Sequence, residues 1–470
     1  MAWKCELESR LGPTQTVRRF RFDNGLVVLL AAKHQAPIVA IQTWFRVGSR
    51  NETPGATGLA HLFEHLMFSA TATRAAGEFD RIIERMGGES NAATWVDWTY
   101  YRLSVPARDV ATALDVEYER MHALALAPQA VEAERDVVTN ERRERVEDDV
   151  DGWLDEQLMA TAFTTHPYRW PTIGWMADIR SVSLATIRDF YQTWYAPNNA
   201  VMVLVGDFDE HHVLDVIATR QGALPAVTLP TQTLPAEPPQ TAPRLMRATK
   251  PIATHRILIG FKAPAQHHPD WAHLEILATL LAGCPSARLH RRLVIEAEIA
   301  SSVDAQMTPF ADPSLFRIAV TCARDHQADE VLAVVEDELA KLRNTQITAA
   351  ELRKAKHLAE TDFWSAMADI DGMAETLGHH EVTLGDFRQL TAMVERLEAT
   401  TAEDIHRAAT TYFVAAGRTI VIADPDPDYA AEDDNNEDRE TDAETEDSDR
   451  AEPGADAAPA RVATAAGAAQ

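Results

Sequence analysis

Hydrophobic and polar positions fall into two rhythms along the first two hundred residues. On either side of Asn24-Gly25, apolar and β-branched residues alternate and then run together, which predicts a hairpin of Thr16–Phe22 and Leu26–Ala32. Residues Pro37–Val47 continue the period of two as a third strand, and the loop Asn51–Gly58 leads into Gly58-Leu-Ala-His-Leu-Phe-Glu-His-Leu-Met-Phe68. That stretch is apolar nearly all round and reads as a buried helix, capped by Thr57 or Gly58. A short amphipathic helix, Phe79–Met86, stops at Gly87-Gly88. Asn91–Val105 is rich in Thr, Trp, Tyr and Val and reads as two short strands or one bent one. On a sheet edge it would accept an extended peptide through main-chain hydrogen bonds. Helical spacing then dominates Val110–Leu126, Glu134–Glu147 after Pro128, Asp148–Phe163 and Leu184–Trp194, before Ala200–Gly206 closes the unit as a wholly apolar, buried strand.

From Gly222 to Pro243 the periodicity stops, and six prolines with Thr, Ala and Gln mark an extended linker. The second half resembles a degenerate copy of the first. Arg256–Lys262 stands where Ala40–Arg46 stood, a helix over Asp270–Leu281 follows, Leu390–Thr410 is helical, and Arg418–Ala423 is the closing strand. Placing Phe261 on Phe45 puts Leu277, Leu280 and Leu281 at the positions of His61, Glu64 and His65. The pattern predicts an α+β fold of two similar lobes, each a mostly antiparallel sheet with helices on one face, set as a clamshell. Residues 1–221 and 244–423 form the lobes and 222–243 the linker. Residues 424–470 form an acidic tail with eleven acidic residues against two arginines over 431–450, a composition that cannot bury enough apolar surface to order itself.

Length and composition agree with two units: 470 residues exceed one ordinary domain, and 46% hydrophobic residues suffice for sizeable cores. A net charge of -28 argues against a nucleic-acid partner, since a phosphate backbone demands a basic surface. Cys5, Cys284 and Cys322 form no C-x-x-C pair, which suits packing thiols in a reducing compartment and excludes a cysteine zinc site. The first ten residues carry no apolar signal core, and no apolar run approaches the roughly twenty residues of a membrane span. A cytoplasmic protein without membrane contact is expected.

The chemistry concentrates in the buried helix. His61 and His65, four apart, project from one side, and Glu64 shares it. Buried imidazoles need partners, and two of them plus a carboxylate oxygen leave the open fourth position of a catalytic zinc site. Glu64 then suits the general base. The third ligand should be acidic and come from another helix. Glu134 and Glu141, seven apart with Val138 between them, share one face of the next helix that qualifies. His166, which precedes Pro167 in a loop, reads as structural.

H-x-x-E-H followed 76 residues after His65 by Glu141, which itself follows Glu134 by seven, resembles the inverted-zinc-motif peptidases of the insulinase or pitrilysin family. Phe22–Val28, Gly87–Ala92 with Asp97, Thr99 and Tyr101, and His166-Pro-Tyr168 leading to Pro171–Gly174 are similar to that family as well, over about residues 15 to 425. In length the chain looks like the two-lobe chains of the mitochondrial-processing-peptidase type. The resemblance implies one zinc ion per chain on His61, His65 and Glu141, a zinc-bound water with Glu64 as general base, and Glu134 supporting the site. It implies substrate binding along Asn91, Ala92 and Thr94. Arg288 matches the arginine of the family's arginine and tyrosine pair, which binds substrate main chain and steadies the oxyanion, but Ser301 stands where the tyrosine should. A zinc metalloendopeptidase acting on peptides or unfolded segments in an enclosed chamber follows. It would work as a homodimer, or as a heterodimer with a homologous chain that lacks H-x-x-E-H and supplies the pair. The alternative is a non-catalytic structural or peptide-holding subunit of the same family.

Overall fold

The computed structural model describes residues 3–12 and 15–429; the tail expected over 430–470 lies outside them. Twelve strands in chain order are β1 (Trp3–Leu11), β2 (Gln15–Phe22), β3 (Val27–Ala32), β4 (Ile38–Phe45), β5 (Glu89–Thr94), β6 (Thr99–Pro106), β7 (Ala200–Gly206), β8 (Arg244–Lys250), β9 (Arg256–Ala263), β10 (Ala300–Met307), β11 (Ser314–Cys322) and β12 (Arg418–Pro425). They form a seven-stranded sheet, β1-β2-β3-β7-β4-β6-β5, and a five-stranded sheet, β10-β11-β9-β12-β8. Each sheet holds one parallel pair, β3 with β7 and β12 with β8, among antiparallel neighbours.

The central strands β3 and β7 of the first sheet are apolar at every position because both of its faces are covered. On one face Val28, Leu30, Ile41, Phe45, Met202 and Leu204 pack with Leu62, Phe63 and Leu66 of the histidine-bearing helix Leu59–Leu66. The other face, with Val27, Leu29, Trp44, Val201 and Val203, is covered by Met373, Ala374 and Leu377 from the helix Ile370–Leu384 of the second half. The exchange is mutual. The helix Val150–Ala162, from the first half, lays Leu154, Leu158 and Ala162 on Leu258, Leu315 and Val421 of the second sheet. That sheet's opposite face packs on the helix Asp270–Ala282, whose Leu277, Leu280 and Leu281 are all core residues. The expected helical layer is thus present in each lobe, and each lobe contributes a further helix to the back of the other.

Three features differ from the sequence reading. β1 was not expected; exposed Glu6 and Glu8 alternate with only half-buried Leu7 and Ser9 in this edge strand, which is held to β2 by ion pairs of Arg18 with Glu8 and Arg21 with Glu6. The helix expected over Leu390–Thr410 is two, Gln389–Ala399 and Ala402–Tyr412, because Thr401 and Asp404 form a capping box that starts a new helix. Of the cysteines, only Cys322 packs in the core; Cys5 is exposed on β1, Cys284 is half-buried, and none is disulfide-bonded.

The linker carries neither helix nor strand from Leu224 to Pro243 but is fastened along its length. Asn198 exchanges hydrogen bonds with Val227, and the Glu237 carboxylate accepts from the backbone amides of Thr164, Thr165 and His166. Burial opposes ionisation of Glu237, yet those amides pull its pKa down to about 2. No helix among the described residues is long and apolar enough to cross a membrane.

Candidate metal centre and substrate edge

The histidine helix begins abruptly. Gly58 precedes it in a left-handed conformation at φ 87° and offers no side chain to cap with. Glu52 takes over this task, its two oxygens accepting from Gly58 N and Ala60 N at 2.8 Å each. Burial drives the Glu52 carboxyl well above the usual range against the pull of those two amides. Tyr101, fully buried, donates to the carbonyl of Phe63 at 2.9 Å and so holds the middle of the helix to β6.

The helix Pro128–Arg142 faces it, started by a proline whose missing amide costs nothing at a first helical position. Donor atoms of His61, His65 and Glu141 all lie within 4.8 Å of one another. Oε2 of Glu141 is 3.2 Å from His65 Nε2 and 3.7 Å from His61 Nε2. The other oxygen, Oε1, is 3.2 Å from Nε of Arg145, which sits on a widened π-helical turn over Arg143–Glu147. Oε2 is thereby the one left for the imidazoles. Glu141 Oε2 is buried, and its ion-pair contacts with the two rings lack good hydrogen-bond geometry; His61 Nδ1, the ring nitrogen not turned to Glu141, is also buried without a hydrogen-bond partner. Burial lowers the His61 pKa despite Glu64 and Glu141 nearby, favouring the neutral, ligating form. At His65 burial acts the same way, but Glu141, Glu64 and Glu134 outweigh it and raise the value. Glu141 itself is lowered, because His65 and His61 overcome its burial.

Glu64 shares with the three donors a cavity of about 1340 Å³. Asn91, Ala92 and Thr94 line the same cavity from β5, the outermost strand of its sheet, whose outer edge carries no strand partner among the described residues. Glu134 is set back from it, with Oε2 at 3.8 Å from His65 Nδ1. The structure does not bring Arg288 to this place. Its guanidinium is bound at 2.8–2.9 Å to Glu351, in the cap of the helix Ala349–Ala366, and it does not line the cavity. Ser301 is the bulged residue between Ala300 and Ser302 on the edge strand β10, exposed, with its hydroxyl 3.5 Å from the Thr321 carbonyl. His166 is structural: Nδ1 accepts from Tyr168 N, and Nε2 lies 3.4 Å from Asp312.

Sequence reasoning missed Glu52, Arg142 and Arg145. Glu52 sits seven residues ahead of the helix it caps, beyond the usual capping spacing. The arginines looked like ordinary charges on a charged helix, although an Arg follows both Glu134 and Glu141.

Residues 27–174 match the insulinase family (peptidase family M16), and residues 181–358 match the peptidase M16 inactive domain. The chain is 31% identical over 407 residues to the zinc protease PqqE of Helicobacter pylori, covering 86% of this chain and 91% of that one. It is 28% identical over 414 residues to an uncharacterized zinc protease of Mycobacterium leprae, with 86% and 90% covered. It is 25% identical over 422 residues to a probable mitochondrial-processing peptidase subunit beta of Arabidopsis thaliana, with 86% and 78% covered. The crystal structure of a protease from Helicobacter pylori superposes with a TM-score of 0.84 at 30% identity, over 87% of this chain and 99% of that one. A putative M16-like peptidase from Alicyclobacillus acidocaldarius shares the fold at a TM-score of 0.77 and 20% identity, over 89% and 100%. With two helices converging on His61, His65 and Glu141, and with relatives over most of its length named zinc proteases, the chain belongs to the insulinase family of peptidases.

Proposed function

We propose that this chain is a zinc metalloendopeptidase, with His61, His65 and Glu141 holding one zinc ion and Glu64 as general base. The observation that carries the reading is the convergence of three ligand-type side chains from two helices, with the buried Glu141 Oε2 set 3.2 Å from His65 Nε2 and 3.7 Å from His61 Nε2. Two imidazoles and a carboxylate are a donor set that suits zinc and leaves a position open to substrate. When bound, the ion supplies Lewis acidity and brings the pKa of a water down to about 7.

The chain's own residues do the rest. Glu64, one turn from His61 and open to the cavity, takes the proton of the attacking water and returns it to the departing amine. The free edge of β5 orders an extended peptide through main-chain hydrogen bonds at Asn91, Ala92 and Thr94, which limits substrates to peptides and unfolded segments. Glu134 steadies the His65 ring. A second chain would supply the arginine and tyrosine pair, either a copy of this one or a homologue without H-x-x-E-H. Arg288, bound to Glu351, and Ser301, exposed on the edge strand β10 and too short to stand in for the tyrosine, support a partner in that role. The three unpaired thiols support residence in a reducing compartment such as the cytoplasm.

Those same two residues favour a second reading, a peptide-holding subunit without turnover. Glu64→Gln separates the two. For the peptidase, metal analysis should find zinc retained at one ion per chain, and hydrolysis of an unstructured peptide should fall by about a hundredfold or more. The holding reading expects no rate to lose. The assay is run alone and with a candidate partner, and cleavage at full rate by the isolated chain counts against the heterodimer.

A further inference from the structure

Arg142 follows Glu141 and turns the other way. It is 5% exposed, an unusual place for a guanidinium, and it touches neither the cavity nor the three donors. Nη1 donates to the carbonyl of Gly174 at 2.8 Å, and Nη2 lies 2.8 Å from the buried carboxylate of Glu156. The guanidinium also stands 5.8 Å from the centre of the Trp175 ring. What it grips is therefore the segment Pro171–Trp175, held from one side by the Glu141 helix and from beneath by the helix Val150–Ala162.

That segment in turn meets the start of the histidine helix. Gly174, at φ 85°, lies so close to Gly58 that a Cβ added to it would stand 2.5 Å from the Gly58 Cα. A Cβ on Gly58 would stand 2.5 Å from the Ile173 carbonyl oxygen. Thr57 seals the contact: its hydroxyl donates to Asp178 at 2.7 Å and accepts from Trp175 N at 2.9 Å. A continuous path thus runs from Glu141 through Arg142, Gly174 and Gly58 into the helix that carries His61.

We propose that Arg142 is a positioning residue that fixes the gap between the two ligand-bearing helices, and through it the affinity for the metal; this rests on the zinc reading above. Arg135 supplies the internal comparison. Seven residues earlier, also buried at 8% exposure, it follows Glu134 and bonds the carbonyls of Ile179 and Val182, at the end of the helix Met176–Ser181 that follows this segment. Its neighbour Glu134 is not among the three convergent donors. Both arginines hold part of the stretch 171–182, but only Arg142 bonds the part that abuts Gly58.

The test is the zinc dissociation constant of the full chain, measured by competition with a chromophoric chelator, together with the visible absorption of the cobalt-substituted protein. Arg142→Met should weaken zinc binding by about tenfold or more, as is common for changes just behind a ligand, and should alter the cobalt spectrum. Arg142→Lys should recover part of the affinity, since one donor can still reach Gly174. Arg135→Met should lower the melting temperature while leaving zinc affinity within about threefold of the parent. Should Arg142→Met fail to fold, Arg142→Lys and Glu156→Gln decide the matter, each expected to weaken zinc binding several-fold. Unchanged affinity in the folded Arg142 variants, or an equal loss in Arg135→Met, overturns the proposal. A parent chain that binds no zinc at all overturns the zinc reading itself.

Discussion

A single carboxylate shows how much one side chain holds in place. Glu237 collects three backbone amides and the hydroxyl of Thr164, fastening the linker to the first lobe beside Lys262 of β9. Burial pushes Lys262 down to about 8 against the pull of Glu237, with its ammonium over the Phe163 ring. Glu237 falls from an ordinary 4.5 to about 2 on folding, so its stabilisation is complete above about pH 4.5 and fades as pH drops towards 2. Glu237→Gln should therefore unfold more easily in urea at pH 6, by about 1–3 kcal/mol. The difference from the parent should shrink steadily as pH falls from 4.5 towards 2, where the folded parent's carboxylate is about half protonated. A difference that does not shrink would mean the contact is not ionic.

Elements here are placed by their ends as much as by their faces. The histidine helix is eight residues long, too short to be stable alone, so its position depends on Glu52 at its first turn, Tyr101 at its middle and Gly58 against Gly174. Gly58→Ala and Gly174→Ala each add a Cβ to a left-handed residue and drive it into neighbouring backbone. Each should cost about 2 kcal/mol or more, read as a lower melting temperature. Apolar periodicity placed this helix, the strands β2 to β7 and Leu184–Trp194 to within a few residues, because their burial repeats at a fixed period. It joined Gln389–Ala399 to Ala402–Tyr412, since a capping box interrupts the backbone without interrupting the apolar pattern. It passed over β1, where burial is partial and charge pairing does the holding.

At the scale of the molecule, the exchanged helices matter most. Ile370–Leu384 covers the back of the first sheet and is locked there by Glu381, fully buried and 2.9 Å from Arg19. His379 on the same helix accepts from Trp98 Nε1 and bonds Gln266, joining both halves at one ring. A chain severed in the linker should therefore leave each half with an uncovered apolar face, and the separate halves should aggregate. The intact chain should melt in one transition by calorimetry. Burial lowers the His379 pKa to about 3, so the unfolded chain binds its proton more readily. Stability should fall as pH drops below about 6.5, and His379→Gln should flatten that dependence between pH 6.5 and 4.

The sequence by itself determined the donors, since His61, Glu64 and His65 lie within five residues of one helix and need only its 3.6-residue period to converge. It determined equally that the second half carries leucines at the matching places. Tertiary structure alone decided which glutamate stands against the imidazoles. Glu134 and Glu141 are equivalent on a helical wheel, and only the crossing of two helices sets one at 3.2 Å from His65 Nε2 and the other behind its ring. It also decided that Arg288 pairs with Glu351, and that each lobe lends a helix to its neighbour. Such contacts join residues from 63 to more than three hundred positions apart, where local periodicity holds no information.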